Sequence, residues 1–353
     1  MENRIERLLK AIGSLGMGGA LFVGAENMRY FSGFTGEGMV FVGERLRLVL
    51  TDFRYTEQAR AECPGFTVRE ADEAGQYAEA GRVLDELGVA GYEADTLTVA
   101  QYHRFGGEGH ELLPLGELPL ELRSVKEPGE WERIRAAAAI ADRAFAELLP
   151  LLRPGLSERE VAAELDYRML RLGAEGTSFA TIAASGPNGS KPHAVPTDRR
   201  LGRGDLLTLD FGCKLGGYCS DMTRTVAIGE PGPELRRVYG IVLNAQLQAP
   251  EALKPGVTGR QVDAVAREAI AAQGYGERFG HGLGHGVGLF IHEEPRLTPR
   301  DAGERVLVPG NVVTIEPGIY LPGVGGVRIE DMCLLTEGGF VNGSASTKEL
   351  LVL

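Results

Sequence analysis

Four carboxylates occupy matching places in two copies of one pattern. GDLLTLDFG (204–212) aligns with GNVVTIEPG (310–318), and GGYCSD (216–221) with GGVRIE (325–330), so Asp210 falls on Glu316 and Asp221 on Glu330. Asp210 ends the apolar run LLTL and Glu316 ends VVTI, which directs ionised side chains toward the interior of a sheet. Burying one such charge costs several kcal/mol, and four together repel one another. Separate salt bridges would answer each charge singly, whereas a divalent-metal site answers all four with one cause. Four carboxylates supply about the charge that two divalent cations need, and an oxygen-rich shell with one imidazole favours manganese- or cobalt-like ions over a thiolate zinc site.

The imidazole is sought in HGLGHGVGLFIH (281–292), which holds three of the six histidines and a glycine at every second position from Gly280 to Gly288. A glycine-rich strand loses entropy on folding and packs poorly, and its usual reason is the close approach of a ligand or another backbone. His285 is therefore the candidate ligand, brought up to the carboxylates by its small neighbours, with His281 and His292 facing a substrate. Two such ions can polarise a carbonyl and activate a water, as in aminopeptidases.

These residues need a scaffold that folds the pattern onto itself. LRPGLSEREVAAEL (152–165) aligns with LKPGVTGRQVDAVA (253–266), each with Pro-Gly and then a Ser or Thr suited to cap a helix. Two helices followed by a β-hairpin thus occur twice, which predicts two half-domains about a pseudo-twofold axis. Upstream, ALFVGA and MVFVGERLRLVLTD alternate with helical patterns such as Gln76 to Leu87, and Ile5, Leu8, Leu9 and Ile12 have the spacing of an amphipathic helix. GELPLELRSVKEPGEWER then leads into an Ala-rich helix beginning near Gly129. The expected class is α/β (α+β), with a small α/β domain over 1–123 and the duplicated domain over 124–353.

A net charge of −12 and a pI near 5.2 argue against a nucleic-acid partner or an anionic membrane surface. No run of eighteen apolar residues and no signal-peptide pattern is found, so a cytoplasmic protein is expected. Cys63, Cys213, Cys219 and Cys333 form no CxxC pair and are expected to be free thiols.

In order and context, Asp210, Asp221, His285, Glu316 and Glu330 resemble the five metal ligands of the pita-bread metallopeptidases, the family of methionine aminopeptidase, prolidase and aminopeptidase P. DFGCKLGGYCSDMTRT, FGHGLGHGVGLFIHEEP, VTIEPGIYLP and GGVRIEDM are similar to motifs of its proline-specific branch. NMRYFSGFTGEG and TDFRYTEQA are similar to the creatinase-like N-terminal domain of that branch. The resemblance implies two divalent ions per chain, manganese first, with cobalt or zinc as alternatives. It makes Asp221 a bidentate ligand of one ion in a site completed by Asp210, and His285 a ligand of the other. Glu316 and Glu330 share the bridging, and Glu316 doubles as general base. His193, in GSKPHAVP, matches the family's substrate-facing histidine. His281 and His292 match the two that line the proline subsite and steady the tetrahedral intermediate. Tyr320 and Arg328 match groups that hold the ligand carboxylates and the attacking water.

The activity implied by the resemblance is that of an exopeptidase for small peptides with proline in second position, expected as a homodimer and favoured as a dipeptidase over an aminopeptidase P. Methionine aminopeptidase lacks the extra N-terminal domain, and creatinase lacks the acidic ligands. A peptide-binding relative without catalysis usually loses ligands, and none is lost here. A dipeptidase needs a cation for the free carboxylate beyond the proline, and Arg45, Arg47 and Arg54 are the N-terminal candidates.

Overall fold

The computed structural model describes residues 2–106 and 109–353. Its chain divides into two compact units, Met1–Arg123 and Ser124–Leu353.

The first unit is built on a six-stranded mixed sheet of β1 (Gly19–Phe22), β2 (Met39–Gly43), β3 (Arg47–Thr51), β4 (Thr67–Glu70), β5 (Ala90–Tyr92) and β6 (Leu112–Pro114), in the order β4-β3-β2-β1-β5-β6. The central strands β1 and β2 are buried at every residue, which is why they read as unbroken apolar runs rather than alternating ones. Ile5, Leu8 and Ile12 of the helix Glu2–Ser14 are buried, as their spacing predicts, and Leu9 is half-buried. The helix read from Gln76 begins three residues earlier, at Glu73, because the Asp72 carboxylate accepts from the Gly75 N–H at 2.8 Å.

In the second unit the duplication is physical. The helix Pro128–Leu148 and the capped helix Glu158–Arg171 correspond to Pro233–Gln248 and Gly259–Ala271. Ser157 with Glu160, and Thr258 with Gln261, close equivalent capping boxes. Gly155 and Gly256, at φ of 94° and 90°, turn the chain before each cap where a side chain would be strained. Their N–H groups donate to Leu201 O and Leu307 O at 2.9 and 3.0 Å.

The first copy contributes β7 (Gly176–Thr177), β8 (Ile182–Ser185), β9 (Asp205–Phe211), β10 (Cys213–Leu215), β11 (Tyr218–Cys219) and β12 (Met222–Ile228). The second contributes β13 (Gly284–Gly286), β14 (Glu293–Leu297), β15 (Val312–Ile315), β16 (Gly318–Leu321), β17 (Gly325–Arg328), β18 (Asp331–Thr336) and β19 (Gly339–Asn342). In each copy an outer antiparallel pair, β9 with β12 or β15 with β18, narrows into a small hairpin at its tip, β10–β11 or β16–β17. In the second copy β19 also pairs with β18, and in each copy a further strand lies beside the first member of the outer pair, β8 beside β9 and β13 beside β15. This third strand has no matching letters between the copies, so the alignment of the sequence passes over it.

Each copy packs its own core. Phe145, Leu165, Leu209 and Phe211 lie under the first, and Val242, Val262, Val313 and Ile315 under the second. All four cysteines are buried, and none is joined in a disulfide among the described residues. No described helix is long and apolar enough to cross a membrane.

Candidate metal centre

The four carboxylates sit where each outer pair meets its tip hairpin, at Asp210 and Asp221 in one copy and at Glu316 and Glu330 in the other. The two copies bring these junctions together. Asp221, His285 and Glu330 each present a ligand atom within 4.8 Å of the others. His285 Nε2 lies 3.6 Å from Asp221 Oδ2 and 3.4 Å from Glu316 Oε1. Asp210 lines the same cleft and is tied to it by Arg328 Nη2, which donates to Asp210 Oδ2 at 2.5 Å.

The glycines of 282–288 allow His285 to reach this place. A side chain at Gly284 would strike the Thr314 carbonyl of β15, and one at Gly286 the Glu294 carbonyl of β14. Two β-strands therefore close on β13 from both sides. The backbone N–H of His285 donates to Thr314 Oγ1 at 3.0 Å, which locks its register beside Glu316.

Protonation states follow from the hydrogen bonds. His285 Nδ1 lies 3.0 Å from Gly286 O, and a carbonyl only accepts, so the proton is on Nδ1 and Nε2 carries a lone pair. Burial pushes the ring's pKa down to about 3, which keeps it neutral. That lone pair faces two carboxylates, an arrangement that calls for a cation between them. Burial first, and then the neighbouring carboxylates Glu330, Asp210 and Glu316, push Asp221 well above the ordinary carboxylate range. Burial and then Glu316 and Asp210 do the same to Glu330, while burial drives Glu316 up to about 8. Among the described residues the buried Oδ1 of Asp210 finds no hydrogen-bond partner. An orphaned acceptor, a neutral imidazole with its lone pair turned inward and crowded carboxylates together fit divalent cations.

The remaining predicted residues surround this cluster. Arg328 Nη1 donates to Tyr320 Oη at 2.8 Å, and Tyr320 Oη is 2.9 Å from His281 Nε2. His281 Nδ1 lies 2.8 Å from Gly282 O, so its Nε2 is the acceptor and the chain runs from Arg328 through Tyr320 to a neutral His281. Burial lowers His281 to about 4 and raises Tyr320 to about 12, which holds both in those forms. His292 stacks edge-on against His285 with ring centres 4.5 Å apart and is lowered by burial and the Arg296 charge. His193 lies on an exposed loop that lines the cleft, whose volume is about 650 Å³.

Several participants escaped the sequence reading. Thr223 Oγ1 donates to Glu330 Oε2 at 2.6 Å and accepts from Arg328 Nε at 3.1 Å, bridging the two copies. Thr314 was legible in principle, since Thr208 and Thr314 stand two residues before a carboxylate in both copies. Arg296 and Arg300 line the cleft, and no partner is found for the exposed guanidinium of Arg300 among the described residues. Nothing in the spacing of PRLTPR marks them. In the first unit, Arg54 already pairs with Asp52 at 2.7 Å and Glu37 at 3.2 Å, while Arg45 and Arg47 flank a shallow depression beside Phe66.

The strand that follows the histidine segment is anchored by a buried ion pair. Lys126 Nζ lies 2.9 Å from Glu293 Oε2, and both side chains are 1% exposed. Glu293 Oε1 accepts from Phe290 N at 3.1 Å, so the pair holds the turn that presents His292. Replacing Lys126 by Met strands a buried charge and is expected to cost about 3 to 5 kcal/mol in a denaturant titration. Replacing both partners by Met should recover most of that loss. A single substitution costing under about 1 kcal/mol would mean that the pair is not anchoring the turn.

A duplicated fold carrying a carboxylate- and histidine-lined cleft of this kind defines a metallopeptidase. The chain belongs to metallopeptidase family M24, which it matches over residues 132–337, and it carries a Creatinase/Prolidase N-terminal domain over residues 4–125. It is 40% identical over 358 residues to an Xaa-Pro dipeptidase of Pyrococcus furiosus, covering 99% of this chain and 100% of that one. Its fold is similar to that of an Xaa-Pro dipeptidase from Bacillus anthracis, with a TM-score of 0.96, 43% identity and coverage of 100% of this chain and 99% of that one. An X-Pro aminopeptidase from Thermotoga maritima MSB8 is also similar, with a TM-score of 0.92, 38% identity and coverage of 99% and 100%.

Proposed function

We propose that this chain is an Xaa-Pro dipeptidase that works with two divalent cations, manganese first, held by Asp210, Asp221, His285, Glu316 and Glu330. Residues 1–123 serve as its creatinase-like N-terminal domain and 124–353 as its catalytic domain. The observation that carries the proposal is the lone pair of His285 Nε2 turned toward Asp221 and Glu316. Asp221, His285 and Glu330, each with a ligand atom within 4.8 Å of the others, would hold such cations, with Glu316 3.4 Å from His285 Nε2 and Asp210 in the same cleft to complete the donor set.

Divalent cations held by this shell would supply polarisation of the scissile carbonyl and activation of a water at neutral pH. The protein's own residues do the rest. Glu316, whose carboxylate receives a long 3.3 Å bond from Thr314 and lies 3.4 Å from the lone-pair-bearing Nε2 of His285, takes the proton of the attacking water. Arg328 orients Asp210 and Tyr320, and Tyr320, donating its O–H to His281 Nε2, fixes that neutral ring on the cleft wall beside the reacting carbonyl. His193 and His292, both open to solvent, contact the peptide on either side of the scissile bond.

Preference for dipeptides requires a fixed cation beyond the proline ring. The guanidinium of Arg300 on the cleft wall, for which no partner is found among the described residues, supports that role better than Arg54, which is already engaged. Arg300→Ala is expected to lower kcat/KM for an Xaa-Pro dipeptide about 10- to 100-fold, as for a lost charged hydrogen bond of roughly 1.5 to 3 kcal/mol, and to leave the Xaa-Pro amide nearly unchanged. Equal losses on both substrates would remove Arg300 from the role. The same assay with an Xaa-Pro-Xaa tripeptide tests the reading as a whole, because faster cleavage of the tripeptide by the unmodified enzyme makes it an aminopeptidase P.

A further inference from the structure

We propose that the second helix of each copy positions one cleft histidine through one buried carboxylate: Glu158 holds the loop of His193, and Asp263 holds the segment of His281. Both are positioning residues. Neither lines the cleft.

Glu158 opens the helix Glu158–Arg171 and is fully buried. Its Oε1 accepts from Ser185 N and Ser185 Oγ at 2.7 and 2.8 Å. Its Oε2 accepts from Asn188 Nδ2, Thr197 N and Thr197 Oγ1 at 2.8, 2.9 and 2.6 Å. Ser185 ends β8 and Thr197 follows the His193 loop, so one carboxylate staples the two feet of that loop together. The helix itself does not need this group, because Ser157 and Glu160 already form its capping box. With its feet tied, the loop is fixed once more beside the histidine, where Pro192 O accepts from Arg328 Nη1 at 3.1 Å.

Asp263 does the corresponding work in the other copy by different bonds. It is 1% exposed, and its Oδ1 accepts from Leu283 N at 2.9 Å. It also grips Arg267 through Nε and Nη2 at 2.7 and 2.8 Å. Arg267 passes the restraint on, donating to Phe279 O at 2.9 Å and to His281 O at 2.8 Å. The guanidinium lies 4.4 Å over the Phe279 ring, whose centre is 5.0 Å from that of His281 in an edge contact. Backbone on both sides of His281 is thus held from one helix. In the alignment Glu158 stands opposite Gly259, and Asp263 opposite Ala162, so neither carboxylate is a copy of the other. The two copies reached the same arrangement from different helical turns.

Glutamine at 158 keeps the size of the side chain but turns one acceptor into a donor that must face a backbone N–H, which cannot rotate away. The test uses zinc-loaded protein with 13Cε1-labelled histidine, whose six signals are assigned by single His→Gln variants. Glu158→Gln is expected to shift or broaden the His193 signal while His281 stays in place, and Asp263→Asn to do the reverse. In parallel, kcat/KM for an Xaa-Pro dipeptide should fall about tenfold or more in Glu158→Gln, as for a side chain misplaced by about 1 Å, with zinc affinity unchanged. An unmoved His193 signal in Glu158→Gln, or a uniform shift of all six, overturns the proposal. If that variant does not fold, Ser185→Ala and Thr197→Val loosen one foot each, and both must disturb His193 selectively for the proposal to stand. Only the activity arm rests on the Xaa-Pro reading: a wild-type protein inert toward Xaa-Pro peptides removes that reading, while the histidine spectra still decide the positioning roles.

Discussion

Asp221→Asn and His285→Ala should each reduce hydrolysis of an Xaa-Pro dipeptide by on the order of 10³-fold at saturating manganese, since ligand loss forfeits several kcal/mol of transition-state stabilisation. The fold should survive both changes. Asp221 is crowded by Glu330, Asp210 and Glu316, so making it neutral relieves repulsion in the metal-free chain. His285 contributes a lone pair that no donor among the described residues answers, and its strand stays registered by the backbone bond to Thr314. Circular dichroism and a denaturant midpoint would report the fold, and steady-state kinetics the activity. Activity within about tenfold of wild type in either variant would contradict the assignment of these ligands.

The second large effect is expected on metal removal. Prolonged incubation with a chelator should abolish activity, and manganese or cobalt should restore it better than magnesium. Magnesium keeps several of its waters and demands octahedral geometry, whereas four carboxylates and an imidazole leave little room for water. The dialysed protein should regain about two manganese ions per chain by elemental analysis, the number that four carboxylate charges balance. Full activity in excess chelator after long incubation would defeat the metal reading. Fewer than one bound ion per chain after dialysis against manganese would favour a peptide-binding module instead.

The carboxylates were legible because duplication wrote them twice. A hairpin junction that presents an acid at the same place in both copies keeps its apolar run, its glycines and its acid in register, and Asp210, Asp221, Glu316 and Glu330 emerged from that register alone. Helix starts were legible from their caps, with errors of a few residues where the cap lay upstream, as at Asp72. The glycines of 282–288 announced close backbone approach, and the carbonyls of Thr314 and Glu294 are what they approach.

The protein's sequence by itself determined the residue types of the candidate site, the helices and outer strand pairs of the two copies, and the family resemblance, because periodicity, capping and repetition are local and survive in the order of letters. Tertiary structure alone decided which partners those residues meet. Thr223 answers Glu330 across 107 positions, Arg328 reaches Asp210 across 118, and Arg267 holds the backbone of His281 from a helix. The first two contacts depend on the two half-domains closing face to face and the third on a helix packing against its own copy's strands, where burial turns a distant hydroxyl or guanidinium into a partner. Arg300 illustrates the same limit: its place on the cleft wall comes from the path of the chain after β14, for which no spacing rule exists.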